Sequence, residues 1–553
     1  MKLQTVQARP VPPLSRRRVL QALASGVALT LLPGCGDDAH SDGSSGTATE
    51  PSTGGRFLHG VASGDPLADA VILWTRVTPD NATAESADCH WSLYTDAALR
   101  DRVAEGAMPA LAAHDWCVKL DVGGLAPDRH YWYRFRSGAH VSPVGRTRTA
   151  PQGEIDALRL AFVTCGDYSR GFFHAYRRVA EREDLAVVVH LGDYLYESGR
   201  NDVRAHDPPH ELLSLDDYRR RYAQYRSDAD LQSLHAAHPM IWIWDDHEIV
   251  NDAWKDGADN HDPQTEGDYL LRRATAAQVA HEWLPIRSPS ADEPTRIYRR
   301  FAFGDLVELI AIDARHVGRD APVPANSLFG AELPVHRHSG AITDPARQIL
   351  GVEQEAWLLD ALATTPARWR LIANQVIFSP LVVLGAPRAL GTSLYLSADK
   401  WDGFPAARDR VLAGIRATRN VVIFTGDAHE SYAFDVTDDP NNPASYGRFS
   451  GEGAAAAEFV APSITSRGDA EPLASLSGVL DAVAAGAEQL LGVTNPHLKF
   501  FENTRNGYVY AEVDANRLVA EFWHVPRVRE PTADQTLAAR FEVQDGRPGV
   551  VRL

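Results

Sequence analysis

The chain has 553 residues, 44% hydrophobic and 23% charged, enough apolar material for a packed core, which excludes a disordered or collagenous chain. Lys and Arg number 55 against 73 Asp and Glu, a formal charge of −18, so no nucleic-acid-binding surface is expected. Four cysteines are too few for a disulfide scaffold, and the fold must stand on its core.

The N-terminus carries Ser15-Arg16-Arg17-Arg18-Val19-Leu20 and then an uncharged apolar run over residues 22–32. This looks like a twin-arginine export signal spanning residues 1–34, because the run is near half of the roughly 20 residues a membrane span needs. It ends in Leu32-Pro33-Gly34-Cys35, which resembles a lipobox. Cys35 is then either a lipid anchor or a chance cysteine beside an ordinary cleavage site. Residues 35–55, rich in Gly, Ser, Asp and Thr, read as a flexible tether. Losing residues 1–34 removes five basic and no acidic residues, which leaves −23 on an exported protein that is periplasmic, anchored at the cell surface or secreted.

Residues 56–150 show short alternating strands at 71–77, 90–94, 116–122 and 131–135, with no long helical period. Gly124-Leu125-Ala126-Pro127 followed by Tyr131, Tyr133 and Phe135 resembles the tyrosine corner of fibronectin-like domains, so a fibronectin/Ig-like β-sandwich is expected. Cys89 and Cys117 both fall here, and a bridge between them stays open.

From 151 to 553 the texture becomes near-continuous apolar runs separated by helical and loop segments, the pattern of strands buried on both faces in an α/β domain. Five runs end in polar, ligand-type residues. Residues 158–164 lead to Cys165, and 185–191 to Gly192-Asp193-Tyr194-Leu195-Tyr196-Glu197. Residues 241–244 lead to Asp245-Asp246-His247-Glu248, 369–373 to Asn374-Gln375, and 421–425 to Gly426-Asp427-Ala428-His429-Glu430. Open α/β sheets place their active sites at strand carboxyl ends. A single Asp there is usually a cap or turn residue, but five such ends point to a shared site. Oxygen donors beside imidazole, thiolate and phenolate can hold two metals bridged by one carboxylate. Residues 201–235 and 255–295 are expected to surround the site mouth, and 473–491 has an Ala-rich helical period. Residues 508–513 and 518–525 alternate like a closing hairpin.

Gly192-Asp193-x-x-Tyr196, Trp244-Asp245-Asp246-His247-Glu248 with Asn251-Asp252, and Gly426-Asp427-x-His429 resemble the PhoD-type alkaline phosphatases and the related iron-containing phospholipase D of actinomycetes. The likeness extends to Phe57-Leu58-His59-Gly60-Val61-Ala62-Ser63-Gly64-Asp65-Pro66, Gln354-Glu355-x-Trp357-Leu358, Asn374-Gln375 and Trp401-Asp402-Gly403-Phe404, over roughly residues 56–530. It implies a metallophosphoesterase α/β/β/α sandwich behind the β-sandwich. It also implies Fe(III) on Cys165, Asp193, Tyr196 and His429, with Asp193 bridging to Ca(II) held by Asp246 and Asp427 and with Asn374 nearby. Cys165-Gly166-Asp167 stands where the wider superfamily has Asp-x-His, and thiolate with phenolate favours Fe(III) over Mg(II).

The expected chemistry is hydrolysis of phosphomonoesters and phosphodiesters by hydroxide generated between two cations. His247 is the candidate to protonate the leaving oxygen, with Asp245 or Glu248 orienting it. Its other reading is a purely structural hydrogen bond. Arg170 is either a phosphate contact or a solvated helix-start residue. Two other readings share the fold: a phospholipase D-like diesterase, told apart by head-group release against small-ester hydrolysis, and a silent surface protein that keeps its metals for stability and turns over nothing.

Overall fold

The computed structural model describes residues 7–10, 54–287, 295–324, 326–328, 331–466, 489–531 and 534–553. The twin-arginine motif, the apolar run, Cys35, nearly all of the tether and most of the Ala-rich stretch 473–491 lie outside the described residues. No described helix is long and apolar enough to cross a membrane.

The alternating N-terminal strands form two layers. One contains β1 (Val61–Gly64), β2 (Ala70–Arg76) and β5 (Cys117–Gly123), and the other β3 (His90–Tyr94), β4 (Arg102–Ala107), β6 (His130–Ser137) and β7 (Gly145–Arg148). Val71, Leu73, Val118, Leu120 and Val122 of the first layer pack against Trp91, Leu93, Tyr131, Tyr133 and Phe135 of the second. The tyrosine corner is present, since the Ala126 N–H donates to the Tyr131 hydroxyl at 2.9 Å. Cys89 and Cys117 are not bridged. Cys89 enters the second layer, where burial pushes its thiol up to about 12, whereas Cys117 begins β5 in the first layer opposite Arg76.

The buried runs supply the remaining strands: β8 (Ala157–Val163), β9 (Val187–His190), β10 (Pro239–Trp242), β11 (Arg299–Phe303), β12 (Val307–Ala311), β13 (Trp369–Asn374), β14 (Val421–Thr425), β15 (Ser431–Val436), β16 (Ala456–Val460), β17 (Leu498–Glu502), β18 (Asn506–Asp514), β19 (Arg517–Val525), β20 (Thr536–Gln544) and β21 (Arg547–Arg552). They form two mixed sheets. The first runs β5-β2-β1-β10-β9-β8-β18-β19-β20-β21, with Gln7–Pro10 as an edge strand on β5. The second runs β11-β12-β13-β14-β16-β15-β17. The expected closing hairpin is β18–β19, paired from Asn506–Val525 to Val513–Leu518.

The first layer of the N-terminal sandwich is therefore not a separate sheet. β1 pairs in parallel with β10 through Ser63–Pro239 and Gly64–Met240. Asp65, fully buried just beyond β1, accepts from Arg299 Nη2 at 2.7 Å and from the Arg287 N–H at 2.7 Å. The Phe57–Pro66 motif thus ties the two parts of the chain together.

Period-two alternation divides the core. Ile310, Ile372 and Ile423 face α5 (Val352–Thr364) and α6 (Pro405–Arg416), while Leu309, Leu371, Val422 and Phe424 face the first sheet. On that sheet's outer side lie α1 (His174–Ala180), α2 (Leu215–Arg226), α3 (Ala229–Ala237) and α4 (Tyr269–Trp283). Ser214 and Asp217 close a reciprocal capping box on α2, Asp228 caps α3 and Asp268 caps α4, so these three helices begin where the sequence satisfies free N–H groups. Nearly every residue of α4 is buried, so it is a core helix and not part of a site mouth. Where the sheets meet, Phe162 of β8 stacks on Phe424 of β14 with ring centroids 3.7 Å apart. Phe424→Ala should cost about 3–5 kcal/mol of stability, read as a lower denaturation midpoint.

Candidate metal centre

Four strand ends of the two facing sheets converge on one point. Cys165 N–H donates to Gly192 O at 3.2 Å and Gly166 N–H to Asp193 O at 2.9 Å, zipping the ends of β8 and β9 together. Gly426, just after β14, packs so closely that an added Cβ would lie 2.6 Å from Thr164 Oγ1. Four candidate ligands adopt left-handed backbone: Cys165 (φ 57°), Asp193 (54°), Asp427 (62°) and His429 (63°). Such residues cost about 1–3 kcal/mol each and cluster at functional sites. The turn lifts each side chain out of the strand's alternation and aims it into the cleft.

Ligand atoms of Cys165, Asp193 and His429 all lie within 4.8 Å of one another. The Tyr196 hydroxyl donates to Asp193 Oδ2 at 2.9 Å and lies 3.1 Å from His429 Nε2, and Ser466 Oγ donates to it at 2.6 Å. Asp193 also belongs to a group with Asp246 and His247, and Asp245, Asp246 and Asp427 form a third group of the same tightness. Asp193 therefore stands where the two halves meet.

The donor set fits cations. Burial drives the Cys165 thiol and the Tyr196 phenol well above their ordinary values, and neighbouring Asp193 adds to both shifts. Burial likewise raises Asp193, and raises Asp245 well above the carboxylate range although Arg315 opposes it. Asp246 is held low against its burial by Arg315 and His247. One buried carboxylate oxygen, Asp245 Oδ2, has no hydrogen-bond partner. Groups crowded this way need positive charge to ionise together.

His247 is oriented differently from the expectation. Its Nδ1 lies 2.7 Å from Glu197 Oε2, and Glu197 Oε1 accepts the Asn251 N–H at 2.9 Å. Burial alone would raise Glu197, yet His247 and Asn251 hold it below its usual value. Neither Asp245 nor Glu248 fills the orienting role. Asp245 is turned to Arg315, and Glu248 accepts the N–H groups of Asp193, Tyr194 and Asp245 at 3.2, 2.6 and 2.8 Å. The Trp242 indole N–H adds a fourth contact at 3.3 Å, so the Glu248 oxygens are taken up away from the His247 ring. Burial would lower His247, but Glu197, Asp193 and Asp246 hold it well above its ordinary value, and its ring is tilted against Tyr196 with centroids 4.1 Å apart.

Asn374 is engaged elsewhere. Its amide nitrogen donates to Val376 O at 2.6 Å and to Thr425 Oγ1 at 3.1 Å, and its oxygen accepts from Trp401 Nε1 at 3.3 Å. Arg170, about a quarter exposed, donates to Asp202 at 3.2 Å and pairs with Asp167 at 3.6 Å.

Arg315, Asp399, Glu197 and Ser466 were not singled out from sequence. Arg315 had a signal: the run that becomes β12 leads into Asp313-Ala314-Arg315-His316, a sixth strand end of the same kind. Gln354 and Gln375 hold that turn, accepting the N–H groups of Asp313 at 2.7 Å and Ala314 at 3.0 Å. Ser466 sits in a connection without any motif.

Two facing mixed sheets with helices on their outer sides and oxygen, sulfur and nitrogen donors at their strand ends make an α/β/β/α sandwich. The sequence profile of the PhoD-like phosphatases matches residues 160–522, and that of their N-terminal domain matches residues 43–151. Alkaline phosphatase D of Bacillus subtilis (strain 168) is 36% identical over 514 residues, covering 89% of this chain and 82% of the relative. The solved structure described as "Structure of PhoD" superposes with a TM-score of 0.78 at 33% identity, covering 91% of this chain and 93% of the other. The chain belongs to the PhoD-like phosphatase family and is a phosphatase.

Gly192, at φ 102°, lies against the partner strand end, where an added Cβ would meet Asp245 Cβ at 2.6 Å. Gly192→Ala should therefore displace both Asp193 and Asp245, and the purified protein should retain less metal by elemental analysis than the wild type.

Proposed function

We propose that the protein is an exported, metal-dependent phosphoesterase that hydrolyses phosphomonoesters and phosphodiesters at alkaline pH, with Fe(III) and Ca(II) as its cofactors. The observation that carries this reading is the sharing of Asp193 between a thiol–phenol–imidazole group and a group with Asp246 and His247, which Asp246 in turn joins to Asp245 and Asp427. Cys165, Asp193, Tyr196 and His429 suit a ferric ion, and Asp193, Asp246 and Asp427 suit calcium, because soft and hard donors are segregated on the two sides. When bound, such a pair supplies Lewis acidity toward a phosphoryl oxygen and lowers the pKa of water.

The chain's own groups do the rest. Glu197 holds His247 by Nδ1, which leaves Nε2 as the atom that can give a proton to the departing oxygen. Tyr196 packs against that ring with centroids 4.1 Å apart and limits its rotation. Arg170 has its charge balanced by Asp167 and Asp202 at the rim, from where it would meet an outer phosphate oxygen once it leaves Asp202. The twin-arginine motif and Cys35 support export followed by anchoring at the cell surface.

Hydrolysis of bis-p-nitrophenyl phosphate by the folded protein with calcium at alkaline pH should be abolished by chelator. Persistence of turnover in metal-free protein would remove the cations from the reaction. Aerobically purified protein should show a visible charge-transfer band that Tyr196→Phe shifts or abolishes; a colourless active enzyme would remove iron. Cys35→Ala should move the protein from the membrane fraction to the soluble one, and an unchanged distribution would leave signal cleavage alone.

A further inference from the structure

Arg315 occupies the acidic half of the centre. It is fully buried and its backbone is fixed, since the Asp313 carboxylate accepts its N–H at 3.0 Å and that of His316 at 2.8 Å. Its guanidinium donates through Nε to Asp245, through Nη2 to Asp427 at 2.7 Å and through Nη1 to Asp399 at 2.6 Å, with Asp246 3.6 Å away. Arg319, also buried, donates to Asp399 from the other side. Among the described residues, the ion pairs of Arg315 are all on this side, and none involves Asp193.

We infer that Arg315 is a built-in counter-cation that holds the calcium-side carboxylates in place while the divalent ion is absent and competes with that ion for them when it binds. A guanidinium keeps its proton at any working pH, so its charge is permanent, and its planar fork can serve several carboxylates at once. The calcium side is consequently preformed and exchangeable. Arg315 is a positioning residue in this scheme, acting through Asp245, Asp246 and Asp427.

The inference rests on the calcium assignment above, and the test separates the two. The full-length protein is stripped with chelator and titrated with calcium alone, with the thermal midpoint and calorimetric affinity as readouts. Arg315→Gln should lower the midpoint of the stripped protein more than that of the calcium-saturated protein, and should bind calcium about tenfold more tightly because a repelling charge is gone. Arg315→Lys should restore part of the stripped-state midpoint. An equal loss of stability with and without calcium, or an affinity that is unchanged or weaker, would overturn the role of Arg315. Should Arg315→Gln fail to fold, Asp399→Asn at the edge of the cluster removes one of the opposing charges and should weaken calcium severalfold; unchanged or tighter binding overturns the inference. A wild-type protein that binds no calcium overturns the calcium assignment itself.

Discussion

The crowding of buried ionisable groups governs this molecule. Asp193, Asp245 and Asp246 are almost wholly inaccessible, Asp427 is partly exposed, and their carboxylates crowd into one cleft between two sheets. Several anions at such separations in a medium of low dielectric repel strongly, and burial penalises each of them further. Every nearby feature reduces that cost. Glu248 turns its own charge toward three backbone amides instead of toward the cleft, Arg315 lies within reach of four carboxylates, and His247 carries a proton between Glu197 and the ligand oxygens.

Precise aim at such a site requires backbone that regular strands do not provide. A strand sends successive side chains to opposite faces, so adjacent positions cannot share a target. The left-handed turns at Cys165, Asp193, Asp427 and His429 break that rule at the last residues of each strand. The framework behind them tolerates the strain because amide bonds between strand ends and the stacked Phe162 and Phe424 fix the positions from which the turns depart. The family motifs have the same logic. Gln354 and Gln375 touch no candidate ligand, yet they set the turn that delivers Arg315.

The sequence made the fold class and most of the clustered polar side chains readable, because buried strands are apolar runs and their polar ends stand out against them. Cys165, Asp193, Tyr196, Asp246, Asp427 and His429 were visible for this reason. Pairings between distant segments were not. Nothing local marks Glu197, and not Asp245 or Glu248, as the partner of His247, since the choice depends on how the turn after β9 meets the turn after β10. Ser466 lies in a connection whose composition resembles any loop, and only its approach to the Tyr196 hydroxyl gives it meaning. Asn374 sits at a strand end like the ligands, but its amide is satisfied by Thr425, Val376 and Trp401 in the finished fold.

The parallel pairing of β1 with β10 gives the N-terminal region a meaning that its sandwich topology does not suggest. Two sequence profiles meet at residues 151–160, which invites the idea of detachable modules. A chain begun there would leave the β10 edge of the phosphatase sheet without its neighbour and would strip Arg299 of Asp65, its buried counter-charge. Exchanging one segment without the other would require rebuilding a strand interface and an ion pair at the same time.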